Sequence, residues 1–235
     1  MLEVEYSEMY ANSGNYDNFE IKYTLKPTNR FEFAYLHAGE GENICDIGMG
    51  GGEVLYSLKN KFQTFYGIEL SKHRLNVANS RCKDLNTHFF NVPFDEPIDL
   101  KQINNIDTAV CLDVLDHMID VRQALKNMYN ILSEDGRLIL TVPNIARINR
   151  RVQLLFGKFP STSTAKQGLE KLGNSSLLDG GKLHYFTFSS LKSLVYEAGF
   201  AKIEAYGIGK HQKLYNLYPS LLSGSIALVC FKRDN

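Results

Sequence analysis

Seven consecutive residues carry the clearest chemistry in this chain: Asp46-Ile47-Gly48-Met49-Gly50-Gly51-Gly52. Glycines at alternate positions let a backbone turn tightly and approach a ligand, because no Cβ intervenes. The spacing separates ligand classes. A dinucleotide fingerprint, G-x-G-x-x-G counted from Gly48, would need its third glycine where Glu53 stands. A Walker loop needs Gly-Lys-Ser/Thr, which is absent. The pattern present is D-x-G-x-G-x-G, with the acid on the apolar run ahead of the turn. Further along stand Glu69, Asn91, the pair Asp113 and His117, then Asn144, Arg147, Lys182 and His184. Glu69 taken alone reads equally well as a solvated acid at a strand end. A histidine titrates near neutrality, as a general base should. His117 has a second reading, as a helix-terminal or core histidine whose ring is satisfied by neighbours.

The elements that must position these groups follow an alternating order. Asn43–Ile47 reads as a short apolar strand running into the glycines, and Glu53–Lys59 as a helix. Phe62–Glu69 reads as a second strand, Ser71–Lys83 as a helix capped by Ser71, and Thr87–Val92 as a third strand. Ile106–Leu112 is a continuous apolar run that suits a strand buried on both faces. Val121, Leu125, Met128, Ile131 and Leu132 recur at helical spacing, and Gly136–Val142 is a fifth strand stopped by Pro143. This βαβα rhythm predicts a parallel sheet with helices on both faces. Ligands in such sheets sit at the carboxyl ends of the strands, where the glycine loop and Glu69 fall. Thr28 is the expected cap of a lead helix that runs to His37 and ends at Gly39. Past Pro143 the pattern changes. Ile145–Phe156 reads as helix, Pro160–Gly181 as a Ser, Thr, Gly and Lys-rich loop, and Thr187–Ala198 as helix. Ala201–Ile208 and Ser225–Lys232 read as strands, with a connection that suits a closing antiparallel pair.

The ordered set resembles the class I S-adenosylmethionine (SAM)-dependent methyltransferases. Asp46 to Gly52 resembles the first motif of that family, and Glu69 stands where the family places an acid that accepts both ribose hydroxyls. Asn91 ends the third strand, where the family usually has an Asp facing the adenine amino group. Cys111-Leu112-Asp113-Val114-Leu115-Asp116-His117 resembles its D-V-L-E-H segment, and Ser133 to Leu138 its L-x-P-G-G turn. The resemblance covers about residues 44–208. It implies a Rossmann-like, seven-stranded, mostly parallel sheet with helices on both faces and an antiparallel last strand. It implies SAM as cofactor, held by Asp46, Gly48, Met49, Gly50, Gly52, Glu69, Leu70, Asn91, Val92 and Leu112. SAM carries no phosphate, so its loop needs no lysine. It carries an ammonium and a sulfonium, which suit acidic surroundings.

Methyl transfer is an in-line displacement for which alignment supplies most of the catalysis. Asp113 and His117 are the candidate catalytic residues, since they follow strand four directly. The acid–His pair also resembles a metal-binding position in some quinone-biosynthesis relatives, but two such residues are too few to specify a metal. Leu177 to Thr187 resembles a stretch of small-molecule methyltransferases, the ubiquinone-biosynthesis-like group, that often reads L-L-D-x-x-H-L-R-x-F-T. Lys182 stands at its His and His184 at its Arg. With Asn144 and Arg147 they form the candidate acceptor-binding set. The resemblance divides the chain into a Tyr-rich N-terminal cap and lead helix, residues 1–41, and a methyltransferase domain, residues 42–235. An acceptor-side insertion spans about residues 145–186. No Asn-Pro-Pro-Tyr type segment follows strand four, which disfavours amide or exocyclic-amine chemistry. The function implied is methylation of a small-molecule acceptor, O-methylation ahead of N- or C-methylation. An RNA or protein methyltransferase and a non-catalytic SAM-binding module are the alternatives.

Composition bounds these readings. The chain has 235 residues, 44% hydrophobic and 22% charged. Roughly 70% of the surface of a chain this size is buried on folding, so a full core forms without staples. Lys+Arg and Asp+Glu both number 26, which excludes a globally basic nucleic-acid binder. The zero hides a division. Met1–Asn144 holds 13 basic and 21 acidic residues, a net of −8, and Ile145–Asn235 holds 13 and 5, a net of +8. Arg147, Arg150, Arg151 and Lys158 flank an apolar stripe from Ile145 to Phe156. That helix reads as a solvated face on a packed helix, as a site for an anionic acceptor, or as a membrane-surface contact. No apolar run reaches the ~18 residues of a spanning helix. The acidic start, Met1 to Tyr10, lacks the features of a signal peptide. Cys45, Cys82, Cys111 and Cys230 form no CxxC pair and read as buried thiols of a cytoplasmic protein.

Overall fold

The computed structural model describes residues 21, 23–97, 100–163, 178–209 and 212–233. Seven strands form one sheet: β1 (Asn43–Ile47), β2 (Thr64–Ile68), β3 (Asn86–Phe90), β4 (Ile106–Leu112), β5 (Leu132–Pro143), β6 (Lys202–Gly207) and β7 (Ser225–Phe231). Their order is β3-β2-β1-β4-β5-β7-β6. β1 pairs in parallel with both β2 and β4, so the chain reverses its direction of travel across the sheet at β1. That switch point is where open α/β sheets take ligands. β7 runs antiparallel to β5 and to β6, as the closing pair requires.

Helices α1 (Arg30–His37), α2 (Glu53–Ser57) and α3 (Lys72–Arg81) cover one face. Their Phe33, Ala34, Val54, Leu55 and Ala78 pack with Ile44, Val110, Ile139, Ala227 and Val229 of the sheet. Helices α4 (Val121–Ile131) and α6 (Phe188–Glu197) cover the other. There Leu125, Met128, Ile131, Leu191 and Val195 meet Cys45, Ala109, Cys111, Leu138, Leu140 and Leu228. Alternate residues of β1, β4, β5 and β7 therefore enter opposite cores, the two-residue period of a strand buried on both sides. All four cysteines are buried and unbridged.

The elements end where local chemistry dictates. Ser71 caps α3 by accepting from the Arg74 amide, and Asp120 caps α4 by accepting from Gln123. The cap of α1 is Asn29, not the expected Thr28. Asn29 Oδ1 accepts from Phe31 and Glu32 amides, while Thr28 donates through N and Oγ1 to Glu32. Thr187 and Ser190 close a reciprocal capping box on α6. Between β6 and β7 lie two short helices, α7 (Gln212–Leu217) and α8 (Pro219–Leu222), where the sequence suggested only a connection. Helix α5 (Ile148–Leu155) buries none of its residues within the described structure. Ile148, Val152, Leu154 and Leu155 are exposed, so it is not the packed helix its stripe suggested. The Tyr-rich cap lies largely outside the described residues, as do residues 164–177 of the expected insertion. No helix among the described residues is long and apolar enough to cross a membrane.

Candidate functional site

The glycine loop turns at the carboxyl end of β1. Gly48, Gly50 and Gly52 hold φ of 74°, 59° and 77°, in the region that L side chains avoid. At Gly48 a Cβ would also stand 2.4 Å from Val114 Cγ2. The loop's amides are turned inward. Gly48 N and Met49 N donate to Ile68 O, and Gly52 N donates to Met49 O. Gly50 N donates to Glu69 Oε2 at 3.0 Å. A loop that has consumed these donors is no phosphate cradle, in agreement with the missing Walker residues.

Glu69 at the end of β2 is the second wall. Its Oε1 accepts from Ser71 N at 2.8 Å, and the residue is 8% exposed. Burial pushes its carboxyl up, and the Ser71 amide, Arg74 and the Gly50 amide oppose that rise. The Ser71, Gly50 and Leu70 amides take up part of the roughly four acceptor positions on the carboxylate, so it can still receive a hydroxyl. Asn91 Nδ2 donates to Glu69 O at 2.7 Å and Leu70 O at 2.8 Å. This clamps the β2 exit and leaves the Asn91 carbonyl oxygen as an acceptor. Asp46 is buried, makes no side-chain hydrogen bond among the described residues, and is pushed up by burial and by Glu53 and Glu69. An acid held this way is relieved by a cation. From behind, Arg81 Nη1 binds Gly51 O and lies 2.5 Å from Glu53 Oε1, a pair that sequence spacing gave no sign of.

Beyond β4 a different set assembles. Asp113 adopts φ 56°. Its Oδ1 accepts from Thr141 Oγ1 at 2.9 Å and its Oδ2 pairs with Arg30 Nη1 at 2.9 Å. It helps line a cavity of about 360 Å³ bounded by the start of α1, the β4 and β6 ends and the start of β7. Because β7 is antiparallel, its first residues lie at the same edge as the last residues of β4.

A protein-family model described as a methyltransferase domain matches residues 19–205. The chain belongs to this methyltransferase family. An uncharacterised protein of Methanocaldococcus jannaschii is 25% identical over 210 residues, 86% of this chain and 78% of that one. A ubiquinone biosynthesis O-methyltransferase of Coxiella burnetii is 23% identical over 105 residues, 45% of each chain. The solved structure of a SAM-dependent methyltransferase from Thermotoga maritima superposes with a TM-score of 0.60 at 18% identity, covering 87% of this chain and 88% of that one.

SAM is the cofactor of this methyltransferase, and the β1–β3 edge fits it. The fit rests on the buried, unpartnered Asp46, the acceptor capacity left on Glu69, and a turn whose Gly48, Gly50 and Gly52 hold positive φ. Of the residues expected there, Met49 differs in kind. Its side chain is buried and a Cβ on Gly67 would meet its Sδ at 2.2 Å, so it shapes the loop from beneath. Leu70 is exposed and Leu112 buried at the same edge, with Val92 half-buried beside Asn91.

The acceptor-side expectations need more correction. His117 Nδ1 lies 3.2 Å from Gly181 O and Nε2 3.5 Å from Lys182 Nζ. Lys182 Nζ in turn lies 2.8 Å from the buried Asp116 Oδ2. Burial is the main cause that lowers the His117 pKa; Asp116 opposes it and Lys182 adds to it. The ring thus belongs to a buried cluster, with polar groups near both of its nitrogens. Lys182 is held there by Asp116. Asn144 is fully buried, with Nδ2 donating to Ser220 O and Ser223 O and Oδ1 accepting from Ala146 N. Those bonds use its capacity to tie β5 to α8, leaving little for a substrate. His184 Nε2 lies 3.3 Å from Ile119 O. Arg147 lines the cavity. Arg30 lines it too, and its place before any recognisable motif hid it from sequence reasoning. No group of three potential metal ligands occurs among the described residues.

Proposed function

We propose that this methyltransferase methylates an oxygen of a small molecule bound in the cavity beside Asp113. The observation that carries the reading is the cavity itself. Its volume of about 360 Å³ lies within the range of small-molecule sites, and it opens on the edge of the sheet that bears the glycine loop. In this reading Asp46, Gly48, Gly50, Gly52, Glu69, Leu70, Asn91, Val92 and Leu112 surround SAM. Glu69 receives its hydroxyls and Asp46 faces its positive charge. SAM supplies a methyl carbon made electrophilic by the sulfonium. The chain's own part is to hold donor and acceptor in line.

A hydroxyl acceptor loses a proton during transfer. Asp113 is the carboxylate on the cavity wall, and each of its oxygens keeps an acceptor position beyond the bonds to Thr141 and Arg30. It replaces His117 as the group placed to orient or deprotonate the acceptor. The likeness to an O-methyltransferase supports oxygen as the acceptor atom. The four unbridged thiols support a cytoplasmic setting. Incubation with methyl-labelled SAM and a panel of phenols, hydroxy acids and aliphatic alcohols tests the reading. Label is expected in an extractable ether or ester, with S-adenosylhomocysteine (SAH) as co-product. Label confined to protein or RNA would overturn it.

A further inference from the structure

We propose that Arg81 is a positioning residue for SAM: it holds the glycine loop from behind, so that the loop and Glu69 keep the separation the cofactor needs. This rests on the reading that SAM lies against that loop and Glu69. Four of the five residues from Gly48 to Gly52 are glycine, and such a backbone loses much conformational freedom on ordering, so its shape depends on tethers. Positive φ accounts for Gly48, Gly50 and Gly52 but not for Gly51. A Cβ on Gly51 would stand 2.7 Å from Glu53 Oε1 and 2.8 Å from Arg81 Nη1, so the position is bare because this pair packs against it. Arg81 Nη1 donates both to Gly51 O and, at 2.5 Å, to Glu53 Oε1. Both side chains are largely buried, and charge-assisted bonds of this kind are among the strong ones.

The tether closes a ring. Glu69 Oε2 accepts from Gly50 N, and Glu69 Oε1 accepts from the amide of Ser71, the cap of α3. Arg81 is the last residue of that helix. One end of α3 therefore fixes Glu69 and the other fixes the loop, which makes the helix a strut between two walls of the site. The charges suit their places. Arg81 stands at the negative end of the α3 dipole, and Glu53 stands in the first turn of α2, at its positive end. Arg81 acts through Gly51 O and takes no part in the transfer step.

The test is calorimetry with SAM and with SAH on the full chain, together with amide hydrogen exchange of the unliganded chain. Arg81→Met should weaken both ligands about ten-fold. It should also speed exchange of the Gly50 amide about ten-fold relative to amides of β1 and β4, since a local tether is lost and the sheet is not. Arg81→Lys keeps a single cationic nitrogen for the two oxygens and should recover part of the affinity. Arg81→Met combined with Glu53→Leu removes both charges of the buried pair, so the melting temperature should return toward wild type. SAM should still bind about ten-fold more weakly, because Gly51 O has lost its donor. A pair that served stability alone would recover both together. SAM affinity unchanged in Arg81→Met, affinity recovered in the double variant, or Gly50 exchange that rises only in step with the whole sheet would overturn the proposal. Failure of SAM to bind the wild-type chain would instead strike the placement of the cofactor.

Discussion

At the scale of single residues, burial and partners decide what a side chain can do. His117 and Asn144 are both reactive or polar types at suggestive positions. The first is fixed between Gly181 and Lys182, and the second is used up on three backbone groups. His117 gives a prediction with a definite sign. Its folded pKa lies below the ordinary value of about 6.5. Below that value the unfolded chain binds a proton that the folded chain resists, so acid favours unfolding. The contribution is present above about pH 6.5 and is lost as pH falls through the lowered folded value. Melting temperatures of the wild type should drop on acidification through this range, and His117→Gln should flatten that slope. An identical slope in the variant would remove His117 from the buried cluster.

At the scale of elements, the site depends on how β1 and β4 leave the sheet. Val114 occupies the space where a Cβ on Gly48 would stand. Gly48→Ala adds an unfavourable φ to that contact and should destabilise the fold by roughly 1–3 kcal/mol, with weaker SAM binding. Pairing it with Val114→Ala relieves the contact but not the φ, so recovery in thermal unfolding should be partial. Full recovery would mean that the backbone tolerates the side chain. Further round, the Asp116–Lys182 pair and the bonds from Leu183 N and His184 N to Asp116 O join the β4 exit to the segment before α6. Lys182→Ala leaves a buried acid without its cation, and a loss of about 3–5 kcal/mol is expected in denaturant unfolding. Asp116→Asn with Lys182→Met should recover most of it. A single variant as stable as wild type would make the pair dispensable.

At the scale of the whole molecule, most of the parallel half of the fold was legible in the sequence, because apolar runs such as Ile106–Leu112 have one stable use in a sheet covered on both faces. The cofactor edge was legible because Gly48, Gly50 and Gly52 are demanded by positive φ rather than chosen for packing. The acceptor edge was less so. Arg30 and Asp113 are 83 positions apart and meet only through the fold. The basic C-terminal region pointed to an anionic acceptor, yet its charges do not act together. Arg150 and Arg151 donate to backbone carbonyls and Lys182 pairs with Asp116. Arg147 is the one named here that lines the cavity, and Arg30 comes from the acidic region. Spacing cannot reveal which member of a charged segment is already matched.

In the proposed function SAM lies against the β1 loop and the carboxylate of Glu69. Calorimetric titration of SAM into the wild-type chain and into Glu69→Gln measures this directly. The wild type should bind one SAM per chain. The variant loses a charged acceptor but keeps the sheet, and should bind roughly 10- to 100-fold more weakly with little change in melting temperature. Equal affinity in the two proteins, or no binding to the wild type, would contradict it.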